Sequence, residues 1–259
     1  MNTLPVETFQ ALKNVILEAG EIALQRRAGI SVHFKSDHTP ATDVEAAIEE
    51  KIIGWIKQNF PGDQVISEET GVIGPSTDRV WVLDPIDGTR AYLNGLPTWG
   101  ILLGLLDEGE PSLGFFYMPK CNDFIWGGRD YGAFLNDQPI SGPIKTAFDD
   151  PVAFLAVPSN FHLHFQTSYP RTRSVGSTAA NLCYTALGSA VGTFTRQVNL
   201  WDIAGMLPIL EHAGIAVEFL NGDCLIPANH TDGQKLPGEL LFAAPQNLKP
   251  IRDSIRRIF

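Results

Sequence analysis

A chain of 259 residues, 44% hydrophobic and 10% aromatic, is long enough to bury a large core without staples. Its formal charge of -10 argues against nucleic acid or an anionic membrane as the main partner, because both demand a basic footprint. Three scattered cysteines, Cys121, Cys183 and Cys224, make no C-x-x-C pair, so neither a disulfide framework nor a zinc site is suggested; they read as small buried packing residues in a reducing cytoplasm. The first residues carry no basic-then-apolar leader, and no stretch of about 18 apolar residues occurs, so the expectation is a soluble, unexported protein.

Along the chain, apolar residues at Phe9, Leu12, Val15, Ile16, Ala19, Ile22 and Ala23 predict a helix from Val6 to Arg27. A second helix is predicted from Asp43 to Phe60, with Val44, Ile48, Ile52 and Ile56 on its stripe, an acidic first turn and Pro61-Gly62 as its stop. From Gln64 the texture changes to short β runs at Val65-Ile66, Val80–Leu83, Gly100–Leu106, Leu113–Tyr117 and Phe124–Trp126, which predict an antiparallel sheet. Beyond Ile140 strands and helices alternate: strands Val152–Val157, Val191–Phe194, Ile215–Phe219 and Glu239–Phe242, with helices Thr178–Leu187, Trp201–His212 and Leu248–Ile258. Pro208, inside the second of these helices, predicts a kink. With no repeat and no long linker, the chain reads as a single unit of two lobes, an α+β lobe over 1–147 and an α/β lobe over 148–259.

The chemistry concentrates where elements end. In Trp81-Val82-Leu83-Asp84-Pro85-Ile86-Asp87-Gly88-Thr89 an apolar strand delivers a carboxylate, a proline interrupts pairing and a second carboxylate follows three residues on. A tight turn there brings both carboxylates and an intervening carbonyl to one side, a set of hard oxygen donors suited to Mg²⁺. Gly88 and Thr89 then open a short helix, with the Thr89 hydroxyl placed to orient a water. Alone, Asp-Gly is also an ordinary turn pair. Two more segments weigh against that bland reading: Ile66-Ser67-Glu68-Glu69-Thr70-Gly71 after another β run, and Leu200-Trp201-Asp202-Ile203-Ala204-Gly205 at a helix start. A bound divalent metal would also supply the positive charge that an acidic protein lacks for holding a phosphate.

Glu-Glu after a strand, then Asp-Pro-Ile-Asp-Gly-Thr, then Trp-Asp-x-Ala-Gly resembles the inositol monophosphatase family of the sugar phosphatase superfamily, in the family's order and over nearly the whole chain. The resemblance implies a layered αβαβα sandwich of the inositol monophosphatase/fructose-1,6-bisphosphatase type. It implies that Glu68, Asp84, the carbonyl of Ile86, Asp87 and Asp202 ligate two or three Mg²⁺ ions, and that Asp43 with Thr89 polarises the attacking water. Asp87, Gly88 and Thr89 would contact the phosphate. Gly176 and Thr178, within Val175–Ala180, together with Ser159 and Asp202, would line the alcohol side, and Lys35 matches a lysine ahead of the Thr-Asp element. The implied enzyme is a Mg²⁺-dependent, lithium-sensitive phosphomonoesterase, cytoplasmic and homodimeric, acting on a small-molecule phosphate monoester with no nucleic acid polymer and no membrane as partner.

This chain departs from the family where inositol monophosphatases carry a glutamate seven residues before the Trp-Asp aspartate: Thr195 stands there, followed by Arg196. That departure leaves open inositol 1-phosphate, a 3'(2'),5'-bisphosphate nucleotide, fructose 1,6-bisphosphate or histidinol phosphate as substrate, with Arg196 a candidate grip on a second anionic group. Gly205 in place of an alanine and Gly214-Ile215 in place of Gly-Gly read as packing changes. A catalytically silent regulatory relative is a rival that loss of a ligand would mark, and every acidic ligand is present. A Ca²⁺ module would need a D-x-D-x-D-G loop, which is absent.

Overall fold

A computed structural model describes residues 4–27, 31–34 and 40–258. Helix α1 (Val6–Arg26) is followed by the short antiparallel pair β1 (Val32–Phe34) and β2 (Pro40–Thr42), then helix α2 (Asp43–Asn59). An eight-stranded sheet follows, from β3 (Gln64–Ser67), β4 (Gly71–Ile73), β5 (Arg79–Asp87), β6 (Gly100–Asp107), β7 (Glu110–Met118), β8 (Asp123–Gly128), β9 (Gly132–Leu135) and β10 (Gln138–Pro139), with helix α3 (Thr89–Asn94) between β5 and β6. Its spatial order is β10-β9-β8-β7-β6-β5-β3-β4. The neighbours pair antiparallel except β3 and β5, which run parallel so that both carry their C-terminal ends, and hence Glu68 and Asp87, to the same edge.

The rest of the chain contributes β11 (Phe154–Ala156), β12 (Phe165–Thr167), β13 (Thr172–Arg173), helix α4 (Thr178–Ala186), β14 (Ala190–Thr195), helix α5 (Leu207–His212), β15 (Ala216–Phe219), β16 (Leu240–Ala243), helix α6 (Pro245–Ser254) and β17 (Ile255–Arg257). Five of these strands form a second, mixed sheet in the order β13-β11-β14-β16-β15, while β12 pairs with β17.

Period-two alternation decides how the layers stack. On β5, Trp81 and Leu83 face α1 and α2 (Leu12, Ile16, Ile48, Ile52), whereas Val80 and Val82 face the opposite way onto α4, α5 and the segment before α5 (Leu182, Ile203, Ile209). Phe242 of the second sheet closes that inner layer, and the sheet's far side, at Val191, Phe194 and Leu241, is covered by Leu248 and Ile251 of α6. The result is helices, sheet, helices, sheet, helix: the α+β sandwich. Both sheets are apolar on both faces because both faces are buried.

Several expectations fail for identifiable reasons. The helix predicted over Trp201–His212 is a 3₁₀ turn (Leu200–Asp202), a break, and then α5. Pro208 therefore sits in the first turn of α5, where its missing N–H costs nothing, and it kinks no longer helix. The last helix begins at Pro245 and stops at Ser254, where the chain extends to pair with β12. Strand β5 does not end at Leu83: it continues through Pro85 to Asp87 by a shift of register against β6. Of the three cysteines only Cys183 is buried; Cys121 and Cys224 are exposed, and all three are free. Among the described residues no helix is long and apolar enough to cross a membrane.

Candidate active site and metal centre

The Asp84–Thr89 segment owes its shape to three local devices. Between Asp84, opposite Leu102, and Asp87, opposite Gly100, the pairing slips, and Pro85, which has no N–H to give the ladder, occupies the irregularity. The Asp84 carboxylate then accepts from its own strand, at Ile86 N (3.0 Å), fixing the turn. Gly88 follows at φ +91°, and a Cβ there would lie 2.9 Å from Ser177 Cβ and 3.0 Å from the Gly176 carbonyl oxygen, so both its conformation and its space exclude a side chain.

Asp87 is 4% exposed and is held from across the cleft by the start of α4. Ser177, which caps α4, donates its hydroxyl to Asp87 Oδ2, Ala179 N donates to the same oxygen (2.8 Å), and Thr178 N donates to Oδ1 (3.2 Å). Asp202 arrives on the 3₁₀ turn, oriented by Asn199 N donating to Oδ2 (2.6 Å). The turn settles onto the eight-stranded sheet because Gly205 has no side chain: a Cβ there would come within 2.7 Å of the Leu103 carbonyl oxygen. One oxygen from each of Asp84, Asp87 and Asp202 lies within 4.8 Å of the others. Glu68 lines the same cleft, of about 310 Å³, with Ile86, Gly88, Thr89, Ser159, Gly176, Thr178 and Arg196.

This crowding has an electrostatic cost. Burial, and then the charges of Glu68, Asp87 and Asp202, hold the Asp84 carboxyl well above its usual range. Burial also raises Asp87, to about 6, against the lowering pull of its three hydrogen bonds. Asp202 is pushed well up by burial and by Glu68, with the Asn199 amide and Lys235 pulling the other way. Carboxylates that destabilise one another when buried in one cleft, all presenting oxygen, fit a hard divalent cation, which would turn each repulsion into a shared attraction.

The structure parts with the sequence reading at Asp43. That carboxylate is exposed and accepts from Ser31 N (3.2 Å). The hydroxyl of Thr89 donates instead to Glu45 Oε1 (2.8 Å). Glu45 is fully buried, its carboxyl raised to about 7 chiefly by burial, and its other oxygen accepts from Thr42 N. Thr42 and Glu45 form the reciprocal cap of α2. The Thr-x-x-Glu spacing was the available signal: it places Glu45, two residues on from Asp43, as the inward carboxylate of the first turn. One helical turn further, Glu49 is 2% exposed and clamps the loop that presents Glu68, accepting from Glu69 N (2.9 Å), Ser67 Oγ and Thr70 Oγ1. Nothing in the sequence reading singled it out. Lys35 lies outside the described residues.

Comparison with known proteins agrees with this geometry. Residues 5–249 match the model of the inositol monophosphatase family. The protein named Nus factor SuhB of Pasteurella multocida is 29% identical over 268 residues, covering 99% of this chain and 96% of that one. The fructose-1,6-bisphosphatase/inositol-1-monophosphatase of Thermotoga maritima is 30% identical over 185 residues, covering 70% and 72%. A solved inositol monophosphatase/NADP phosphatase complexed with Mg²⁺ and phosphate superposes with a TM-score of 0.82 over 95% of this chain and 94% of that one; at 18% identity it speaks for the fold alone. The sandwich, the carboxylates at its sheet edge and a family match running almost from end to end lead to one conclusion: the chain belongs to the inositol monophosphatase family.

Proposed function

We propose that this protein is a Mg²⁺-dependent phosphomonoesterase that hydrolyses a small-molecule phosphate, of the inositol-1-monophosphatase kind, by direct attack of water. The observation that carries the reading is the junction of two groups in one cleft: a carboxylate set suited to a divalent cation and, beside it, the Thr89–Glu45 hydrogen bond. Glu68, Asp84, Asp87, Asp202 and the Ile86 carbonyl would hold two or three Mg²⁺ ions. Bound there, Mg²⁺ would supply positive charge to neutralise the phosphoryl oxygens and Lewis acidity to activate the attacking water.

The chain's own groups do the rest. Thr89 Oγ1 spends its proton on Glu45 and keeps lone pairs with which to accept from a water and aim it. Glu45, whose carboxyl sits near neutrality, is matched to taking that proton on. The turn at Asp87–Thr89, packed against Ser177, fixes where the phosphate can lie, and Asp202 closes the side from which the alcohol departs. Cytoplasmic location and a homodimeric state belong to the same reading and rest on family resemblance.

Phosphate release from a panel of phosphomonoesters is expected to need Mg²⁺, to stop on chelation and to return when Mg²⁺ is restored. Turnover indifferent to chelation, or none against any ester, would refute the proposal. Li⁺ is expected to inhibit, and a flat response into high millimolar Li⁺ would remove it from the account. The relative named Nus factor SuhB raises a second reading, that of a regulatory protein on the same fold. The complete carboxylate set argues for catalysis, and the same assay decides.

A further inference from the structure

One wall of the cleft, at the end of β14 and on α4, carries polar atoms without partners. Thr195, the last residue of β14, and Asn181, on α4, are each 4% exposed and line the cleft, and neither Thr195 Oγ1 nor Asn181 Oδ1 has a hydrogen-bond partner. Arg196, next in the chain and half-buried, lines it too, and its Nε is likewise buried without a partner. Among the described residues no carboxylate pairs with Arg196, in a chain of 29 acidic against 19 basic residues. A buried donor left without an acceptor destabilises the fold, more so when it is charged. A guanidinium kept free at such a cost, beside a free hydroxyl and a free amide oxygen, is arranged for something that enters the cleft. Arg90, exposed on α3, adds a second cation to the lining.

Resting on the phosphatase reading above, we infer that the substrate carries a second anionic group, a phosphate or carboxylate distinct from the phosphoryl group that is cleaved, and that Arg196 grips it with Thr195. The phosphoryl group being cleaved has the carboxylate-held cations to neutralise it. The Arg196 guanidinium offers planar paired donors that match a phosphate or carboxylate, and Asn181 Oδ1 accepts from a substrate hydroxyl. A neutral polyol leaves the guanidinium unpaired, and a cationic alcohol such as histidinol meets it as a like charge.

The experiment compares kcat/KM for adenosine 3',5'-bisphosphate and fructose 1,6-bisphosphate with that for myo-inositol 1-phosphate and histidinol phosphate, in the Mg²⁺-loaded wild type, Arg196→Gln and Arg196→Lys. The expected result is a wild-type preference for at least one bisphosphate that falls about 10- to 100-fold in Arg196→Gln, mainly through KM, and is partly kept in Arg196→Lys. Turnover of myo-inositol 1-phosphate should stay within about twofold, which also shows that the variant is folded, and that of histidinol phosphate should hold or rise in Arg196→Gln as the like charge is removed. An equal fall across all four esters would assign Arg196 to the cleaved phosphate, and an unchanged preference would remove it from recognition; either overturns the inference. Should no ester be turned over, the phosphatase reading fails separately. Calorimetric binding of the two bisphosphates to Mg²⁺-loaded wild type and Arg196→Gln then decides the subsite, with equal affinity overturning it.

Discussion

Asp84→Asn is expected to lower turnover at least about 10³-fold and, at the same time, to raise the melting temperature of the metal-free protein by a few degrees. The two effects have one origin. Asp84 is 1% exposed, faces Glu68, Asp87 and Asp202, and in the folded protein resists ionisation because of burial first and those charges second. An asparagine keeps the amide oxygen that accepts from Ile86 N, so the turn survives, and it removes a buried carboxyl whose ionisation burial and the neighbouring carboxylates oppose. The same substitution takes away the carboxylate with which the cleft would hold its cation. Phosphate-release kinetics and calorimetric melting in chelator check both halves. A variant of near-normal rate would mean that the site lies elsewhere, and a lower melting temperature would mean that Asp84 has a stabilising partner.

Metal-free protein is expected to lose stability as pH rises from about 4 to about 7, and Mg²⁺ to restore it, most at the alkaline end. The sign follows from the direction of the shifts. Glu45 moves from 4.5 unfolded to about 7 folded, and Asp87 from 3.8 to about 6. Between those limits the folded state holds protons that the unfolded state has released, so raising the pH favours unfolding. Glu45 alone contributes on the order of 3 kcal/mol to that loss, and a melting difference of roughly 5 to 10 °C follows for a chain of this size. Cation binding requires ionised ligands, so it competes with protons at low pH and gains affinity as pH rises. Melting curves at about pH 5 and about pH 8, with chelator and with Mg²⁺, test this. Metal-free stability that climbs over this range would show that the carboxylates are compensated from within the protein.

The carboxylates of the cleft were legible because each closes an element: Glu68 follows β3, Asp84 and Asp87 lie where β5 slips its register, and Asp202 sits on the turn ahead of α5. Apolar runs with an acidic residue at the end announce such positions. The partner of Thr89 was misplaced because the family resemblance pointed to Asp43, while Asp43 and Glu45 share the first turn of α2, where an acidic residue suits the helix dipole wherever it points. Only the reciprocal cap with Thr42 separates the inward from the outward one. Glu49 stayed hidden for a related reason: a glutamate on a helix reads as solvated face unless the loop it grips is known. The helix over Trp201–His212 was overextended because its apolar residues keep helical spacing across a turn. What divides it is the demand that Gly205 lie against the backbone of β6, a tertiary requirement that spacing does not record.

Glu45 and Glu49 stand one helical turn apart on α2, the first bonded to Thr89 and the second to the loop bearing Glu68. The helix thus acts as a ruler. Its pitch sets the separation between the carboxylate that holds Thr89 and the one that holds the strand end carrying Glu68, and a tilt of the rod carries both together. Length changes inside this stretch have no neutral solution: one inserted residue turns Glu49 by about 100° away from the loop while leaving Glu45 in place. The spacing of these two glutamates therefore tolerates change in neither length nor phase, even though neither side chain is among the carboxylates that would hold the metal.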